Sequence, residues 1–473
     1  MADTLSFDPV VEPPEVMPTV YGPPPQTVRG RDIPGLVSVR VRDLFPDIAA
    51  AAYQGGTDAS AIRLATEAAL ASVDMSRIGT DDTVNLLCSE HGFGMLGGHA
   101  YAEMLTAIRE EVVARTGAKV RLVVIAWLGA KEPGELIEYY ELDRRFEGKV
   151  RGATPMDAGI PIETAMGTLY GLRKVYDADW IIHAHYDDPR EIYIHRAIDR
   201  ITKPFGMSYA RMETRSIFHI TMGTRSGNFI GRAIADSEFV RSKLAFSATL
   251  VTSPDGVLAV DADNDLDAIG TRMTANILRS YGKMLALLRH INDCVAVIDG
   301  AKWPYYIHAG GMIFGHLFYN GVDWFDLDRP DTSFAVERAV AAGLSKSIKA
   351  VVLHQALLGL NFTSMAMLYP LVISNPDMAA TMRHDFSNPR FMERALVADD
   401  LFQAVELAKE RGGSDKVIVF DGSYGSLNVS PSMAAHLYEL APEADRLVEE
   451  ELLPKWLRQR GIDPLTLDGA ARP

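Results

Sequence analysis

Asp179-Trp-Ile-Ile-His-Ala-His-Tyr-Asp-Asp-Pro-Arg190 opens the stretch on which the fold turns. It continues through Ile194-His-Arg-Ala-Ile-Asp-Arg-Ile-Thr-Lys-Pro204 and closes with Arg211-Met-Glu-Thr-Arg-Ser-Ile-Phe-His219. Between Asp179 and His219 lie four of the chain's 12 histidines, five arginines and one lysine. The apolar start reads as a strand, and a strand ending in imidazole and cationic groups delivers them to the carboxyl edge of an α/β sheet. That edge is where open α/β folds bind ligands. The competing reading is a charged surface segment, with His183 and His185 alternating along a strand end and the arginines in water.

Outward from this stretch, strands and helices alternate. Upstream, Asp82–Cys88 reads as a buried strand, a glycine-rich loop follows, and a helix runs to Thr116. Val120–Trp127 is the next strand, with a helix over Pro133–Phe146. Downstream, Leu244–Thr252 and Val257–Val260 form a hairpin on Ser253-Pro-Asp-Gly256 turn chemistry, and Asp265–Leu288 reads as a long helix. Val295–Asp299, Ala350–Leu353 and Lys416–Asp421 continue the rhythm, with an amphipathic helix over 398–411 and a charged helical segment over Ser432–Arg460 packing on the outside. This alternation predicts βαβ units and an α/β fold with mainly parallel sheets. At 473 residues the chain exceeds one hydrophobic core. We expect an extended proline-rich segment over 1–35 running along the surface, an N-terminal α/β catalytic domain over 36–290 and a C-terminal α/β domain over 291–473.

Net charge is −15, from 47 basic and 62 acidic residues, which disfavours nucleic acid because no basic excess displaces counterions. A local basic pocket for a small carboxylate remains compatible with it. Cys88 and Cys294 make neither a zinc pattern nor a disulfide framework. No leader-like start and no apolar run of roughly 18 residues is present. The expectation is a cytoplasmic protein with no membrane or nucleic-acid partner, open to homo-oligomer formation.

Four sets of residues could carry chemistry. The loop Glu90-His-Gly-Phe-Gly94 lies between a strand and a helix, where glycines let amides approach an anion; it carries neither a P-loop nor a dinucleotide fingerprint. A tight turn capped by Glu90 is the equal alternative, with Glu90, His91, Gly92 and Gly94 as the cofactor-binding candidates otherwise. His183, His185, His195 and His219 can bind a transition metal or serve as acid and base. Arg190, Arg211 and Arg215 are the candidates for gripping a carboxylate with two parallel bonds. Lys203, before Pro204, should lie in an extended or turn segment. His354, inside Val351-Val-Leu-His-Gln-Ala-Leu-Leu358, reads as a satisfied core histidine.

The order of three further segments resembles the nickel-dependent lactate racemase family over most of the chain. They are Ala165-Met-Gly-Thr-Leu-Tyr-Gly-Leu-Arg-Lys-Val-Tyr-Asp-Ala-Asp179, Phe218-His219 with Gly231-Arg-Ala-Ile-Ala-Asp-Ser-Glu-Phe-Val-Arg241, and Ala398-Asp-Asp-Leu-Phe-Gln-Ala-Val-Glu-Leu-Ala408 with the 416–420 strand. The resemblance implies a lactate-racemase-like fold and racemisation or epimerisation of a small 2-hydroxy acid. It implies a nickel pincer nucleotide, a nicotinate-derived cofactor that takes a hydride from carbon 2 while a histidine takes the hydroxyl proton. Lys203 then matches the cofactor-contacting lysine, His219 the nickel ligand and His195 a catalytic histidine. The chain departs from the family at two motifs. Ser89-Glu-His-Gly-Phe-Gly94 replaces its Asp-x-Thr-Arg phosphate loop, and Leu128-Gly-Ala-Lys-Glu-Pro133 replaces its Gly-x-His-x-Pro. His91 and Lys131 are the residues that would substitute there. Alternatives on the same fold are a lyase or hydrolase using another divalent metal on His183, His185 and His219, and a non-catalytic protein that binds a small anion.

Overall fold

The computed structural model describes residues 7–12, 17, 26–94, 96, 98–126, 131–187, 201–222, 227–299, 323, 325–328, 345–355, 369–385 and 389–463. Their strands, in chain order, are β1 (Val37–Arg40), β2 (Thr83–Ser89), β3 (Lys119–Ile125), β4 (Val150–Ala153), β5 (Gly159–Thr164), β6 (Gly167–Leu172), β7 (Trp180–Tyr186), β8 (Leu244–Ser253) and β9 (Gly256–Asp263). The second half holds β10 (Cys294–Asp299), β11 (Ile348–Gln355), β12 (Leu371–Ile373), β13 (Leu396–Val397), β14 (Val417–Phe420) and β15 (Ser426–Val429). Two main sheets result, as expected for an α/β chain. One is six-stranded in the order β4-β3-β2-β7-β8-β9, parallel except for the β8–β9 hairpin. The other is seven-stranded, β1-β15-β14-β10-β11-β12-β13, parallel from β14 to β13. A separate antiparallel pair, β5–β6, completes the set.

Parallel strands are covered on both faces and so read as unbroken apolar runs. Accordingly β10 is buried along its whole length and β7 at every residue after Trp180. One face of the six-stranded sheet packs Ile182, Ala184 and Tyr186 against Tyr101 and Leu105 of the helix His99–Thr116. The other face packs Ile181 with Phe205, Tyr209 and Phe218. The helix Leu266–His290 starts on Asp265, whose carboxylate accepts from the amides of Asp267 and Ala268. It lies against β8 and β9 and lends Ile277, Tyr281 and Leu285 to the core of the second half.

Several expectations change in detail. β1 lies inside the span assigned to the first domain, yet it pairs with β15 in the second sheet. A division at residue 290 alone therefore misses one strand. The Pro133–Phe146 helix breaks into Glu132–Tyr139 and Leu142–Arg145, because Glu141 takes the left-handed conformation at φ 51°. The 432–460 segment becomes Pro431–Leu447, a π turn and Leu453–Gln459, and buries Leu437, Val448 and Trp456 rather than lying on the outside. The described part of the proline-rich segment is fastened to the second half. Gly30 N donates to the buried Asp299 carboxylate at 2.6 Å, and His354 bonds the Val28 carbonyl at 2.7 Å. Among the described residues no helix is long and apolar enough to cross a membrane.

Candidate functional site

The carboxyl ends of β2 and β7 meet on one face of the six-stranded sheet. Side chains two apart on a strand share a face, so His183 and His185 point together, their rings stacked 5.2 Å apart at 28°. Both are buried among protein groups. His183 Nδ1 lies 2.7 Å from the Tyr209 hydroxyl and Nε2 lies 3.0 Å from the Ile201 carbonyl. A carbonyl can only accept, so Nε2 carries the hydrogen and Nδ1 accepts from Tyr209. Burial pushes the His183 pKa down to about 3, partly countered by the bond to Ile201. With both nitrogens engaged, His183 has none for a metal or for proton transfer. This corrects its expected role: the imidazole is a bracket that ties β7 to the 201–209 segment.

Lys203 opens a one-turn helix, Lys203–Gly206, with Pro204 in its first turn, where proline's missing amide costs nothing. Of the two expected placements, extended or turn, it takes the turn. This turn lies directly on the helix Asn228–Ala235. A Cβ at Gly231 would come within 2.4 Å of the Thr202 carbonyl oxygen and 3.2 Å of Lys203 Cα. Only glycine permits that approach. The Lys203 ammonium sits 6.0 Å from the ring centre of Phe218, the residue before His219. The 217–221 backbone is a π turn, a local irregularity found disproportionately at functional sites.

The β2 end contributes a polar cluster. Ser208 Oγ donates to Ser89 Oγ at 3.2 Å, Ser89 Oγ reaches Glu90 at 3.3 Å, and His91 Nδ1 meets Glu90 at 2.8 Å. Arg215 is buried nearby. Burial lowers its pKa and the Glu90 charge raises it in part. The loop does not form the anion cradle allowed by its glycines. A Cβ at Gly92 would fall 2.3 Å from the Tyr101 ring, so Tyr101 fills that hollow. Phe93 stacks on Tyr140 at 4.8 Å, and the Tyr140 hydroxyl caps the Phe93 carbonyl at 3.1 Å. Glu90, His91, Gly92 and Gly94 therefore form a tucked 3-10 turn.

Of the arginines, Arg211 is engaged by protein groups. Its Nε donates to the Asp157 carbonyl at 3.1 Å and its Nη1 pairs with Glu213, which corrects its assignment to substrate. Arg190 and His195 lie outside the described residues, as do residues 128–130, whereas Lys131 precedes the helix Glu132–Tyr139. His354 is a satisfied core residue as expected, bonded to Ser374 at 2.6 Å and to Val28.

Among the described residues, one group has metal-like spacing: Asp47, Asp445 and Glu449. A cation already occupies it. The Lys283 ammonium lies 2.7 Å from Asp445 and 2.8 Å from Glu449, and it also pairs with Asp47. Three N–H donors meet three carboxylates, leaving no place for a divalent ion.

Sequence reasoning did not single out a second feature beside this edge. A cavity of about 370 Å³ lies between the β8–β9 hairpin and the Leu266–His290 helix, lined in part by Asp187, Asn276 and Arg279. The available signal was the polar stripe Arg272, Asn276, Arg279 and Lys283 at helical spacing in an otherwise buried helix. Compared with known proteins, the chain matches no family model and no curated protein.

Proposed function

We propose that this protein acts on a small 2-hydroxy acid at the carboxyl edge of the six-stranded sheet and inverts its carbon 2, as the resemblance to nickel-dependent lactate racemases implies. One placement carries the reading: Lys203 rests beside Phe218, so the lysine and the histidine singled out by the resemblance belong to one locality. A half-buried ammonium there pairs with the substrate carboxylate, while the resemblance gives His219 to the nickel and the catalytic proton transfer to His195. The nickel nucleotide of that family would supply the hydride acceptor when bound. The Glu90–Gly94 loop does not fit its phosphate, because the buried Glu90 carboxylate opposes an anion and Tyr101 fills the hollow at Gly92. A divalent-metal lyase or hydrolase on His183 loses its ligand, since both ring nitrogens are engaged.

The test uses protein purified from its native host, assayed on enantiopure 2-hydroxy acids by chiral chromatography, with metals measured alongside. Inversion should be seen and should fall at least a hundredfold in Lys203→Ala. In D2O, a hydride held by the protein keeps hydrogen on carbon 2, whereas proton abstraction introduces deuterium. Inversion indifferent to Lys203→Ala would overturn the assignment. Binding without inversion across the panel would leave a small-anion-binding protein.

A further inference from the structure

The two main sheets share one connection pattern. In the six-stranded sheet the chain runs outward from β2 through β3 to β4, then returns to the other side of β2 at β7. The candidate site lies at the carboxyl ends of that pair. In the seven-stranded sheet the chain runs outward from β10 through β11 and β12 to β13, then returns to the other side of β10 at β14. The crevice outside the carboxyl ends of β10 and β14 is thus a second switch point, the place where open α/β sheets take ligands.

Residues 26–30 of the chain itself fill this crevice. The 3-10 turn Gly30–Asp32 lies against both strands. A Cβ at Gly30 would fall 2.5 Å from Val419 Cγ1 on β14 and 3.3 Å from the Asp299 carboxylate on β10. The sheet edge grips the segment through its backbone. Gly30 N donates to Asp299 at 2.6 Å, the Val28 carbonyl accepts from His354 Nε2 at 2.7 Å, and Gln26 N donates to Gln355 Oε1 at 3.2 Å. One side chain adds to this, since Arg29 Nε lies 3.1 Å from the Asp299 carboxylate. Asp421, just past β14, is buried as well. Burial raises its pKa, hydrogen bonds from Ser423 and Asn428 oppose the rise, and the Asp299 charge adds to it. With two neighbouring carboxylates, the crevice suits a cation.

The segment is held without a core of its own. Thr27 and Val28 are exposed and Arg29 is half-buried; the next apolar residue, Ile33, is the one that packs with Val297 and Val419. Stretches with few buried apolar contacts open at low free-energy cost. Opening uncovers Asp299, His354 and Gln355 while the sheet beneath stays folded. Further along the edge, just past β12, the Nδ2 of buried Asn375 has no hydrogen-bond partner among the described residues, a donor that residues 26–30 leave unused.

We infer that the carboxyl edge of the second sheet is a binding site for an extended, arginine-bearing peptide, with residues 26–30 as its occupant in cis, a strap that exchanges with such a peptide. Main-chain hydrogen bonds supply the grip, and the Asp299 carboxylate selects arginine. The site stands apart from the carbon-2 chemistry proposed above.

A fluorescent peptide of residues 24–34, titrated by anisotropy against the full-length protein, tests this. In Gly30→Val the added side chain meets Val419 and Asp299 and expels the strap, while every group on the sheet edge stays in place. This variant should bind the peptide about tenfold or more tightly than the parent, where the tethered strap competes at an effective concentration on the order of millimolar. The same peptide with Arg29→Ala should bind the variant about tenfold to a hundredfold more weakly, as should the unaltered peptide once Asp299→Asn is added to Gly30→Val. Arginine amide, which lacks the backbone contacts, should bind more weakly still; binding as tight as the peptide's would overturn the peptide reading. Hydrogen exchange in the parent carries the test should Gly30→Val fail to fold. Amides of residues 26–32 should exchange on the order of a hundredfold faster than those of β10, and faster again with excess unlabelled peptide. Strap amides as slow as those of β10, a folded Gly30→Val that does not bind the peptide, or binding indifferent to Arg29→Ala overturns the inference.

Discussion

Burial keeps the His183 imidazole neutral, and that has a consequence for stability. Its folded pKa is about 3 against an ordinary 6.5. Below pH 6.5 the unfolded chain takes up a proton that the folded protein refuses, so folding stability falls as pH drops from about 6.5 towards 3 and is unaffected above that window. A shift of this size corresponds to on the order of 5 kcal/mol once fully expressed. Urea unfolding at a series of pH values should show this acid limb, and His183→Asn should flatten it; an unchanged slope in the variant would mean that other groups carry it. At this scale the density of histidines between 179 and 219 was legible in the sequence, but their surroundings were not. The partners that occupy His183, the Tyr209 hydroxyl and the Ile201 carbonyl, lie 26 and 18 residues further along the chain, out of reach of any local pattern. His354 was legible because an apolar run on both sides leaves a histidine little but a core role.

Elements position Lys203 more than any single side chain does. The helix Asn228–Ala235 crosses the Lys203–Gly206 turn with glycine on both sides, a Cβ at Gly206 falling 2.9 Å from Gly231 N. Gly231→Ala inserts a methyl group against the Thr202 carbonyl and Lys203 Cα, and the turn must move. Overpacking of this kind costs about 1–3 kcal/mol, within what a folded protein tolerates. The expected result is a modest fall in Tm with a large loss of carbon-2 inversion, read by thermal unfolding and chiral assay on the same preparation. Full activity in a folded Gly231→Ala would show that the position of Lys203 does not matter. The strands and long helices around this crossing were readable from apolar periodicity. The short helices 203–206, 212–216 and 238–243 were not, since one or two turns contain too few residues to show a period. The π turn at 217–221 leaves no sequence signal at all.

On the scale of the whole molecule, the alternation of strands and helices disclosed an α/β fold, because both sheets are parallel through their centres and each parallel connection needs a crossover. The membership of β1 was hidden, since pairing with β15 joins residues near opposite ends of the chain. That crossover and the Leu266–His290 helix make the two halves mechanically one. The helix contacts β8 and β9 while its own Tyr281, Met284 and Leu288 lie in the core beneath β10 and β11. Lys283 fastens the arrangement, joining the long helix to Asp47 of the N-terminal part and to Asp445 and Glu449 of the C-terminal helical segment. Burial lowers the pKa of this lysine, but its three carboxylate bonds outweigh that and raise it overall, so the ammonium stays charged. Removing one member of a buried ion cluster leaves like charges facing each other and costs about 3–5 kcal/mol. Partial exposure of the three carboxylates reduces that figure, since water and salt screen them. In the parent protein, hydrogen exchange at β7 and β10 should report the same opening free energy, as the two sheets unfold together. In Lys283→Met the β10 peptides should exchange earlier than those of β7, because the C-terminal helices loosen from the second core first. Coincident exchange at β7 and β10 in that variant would show that β1 and the apolar face of the long helix suffice to couple the halves without the lysine.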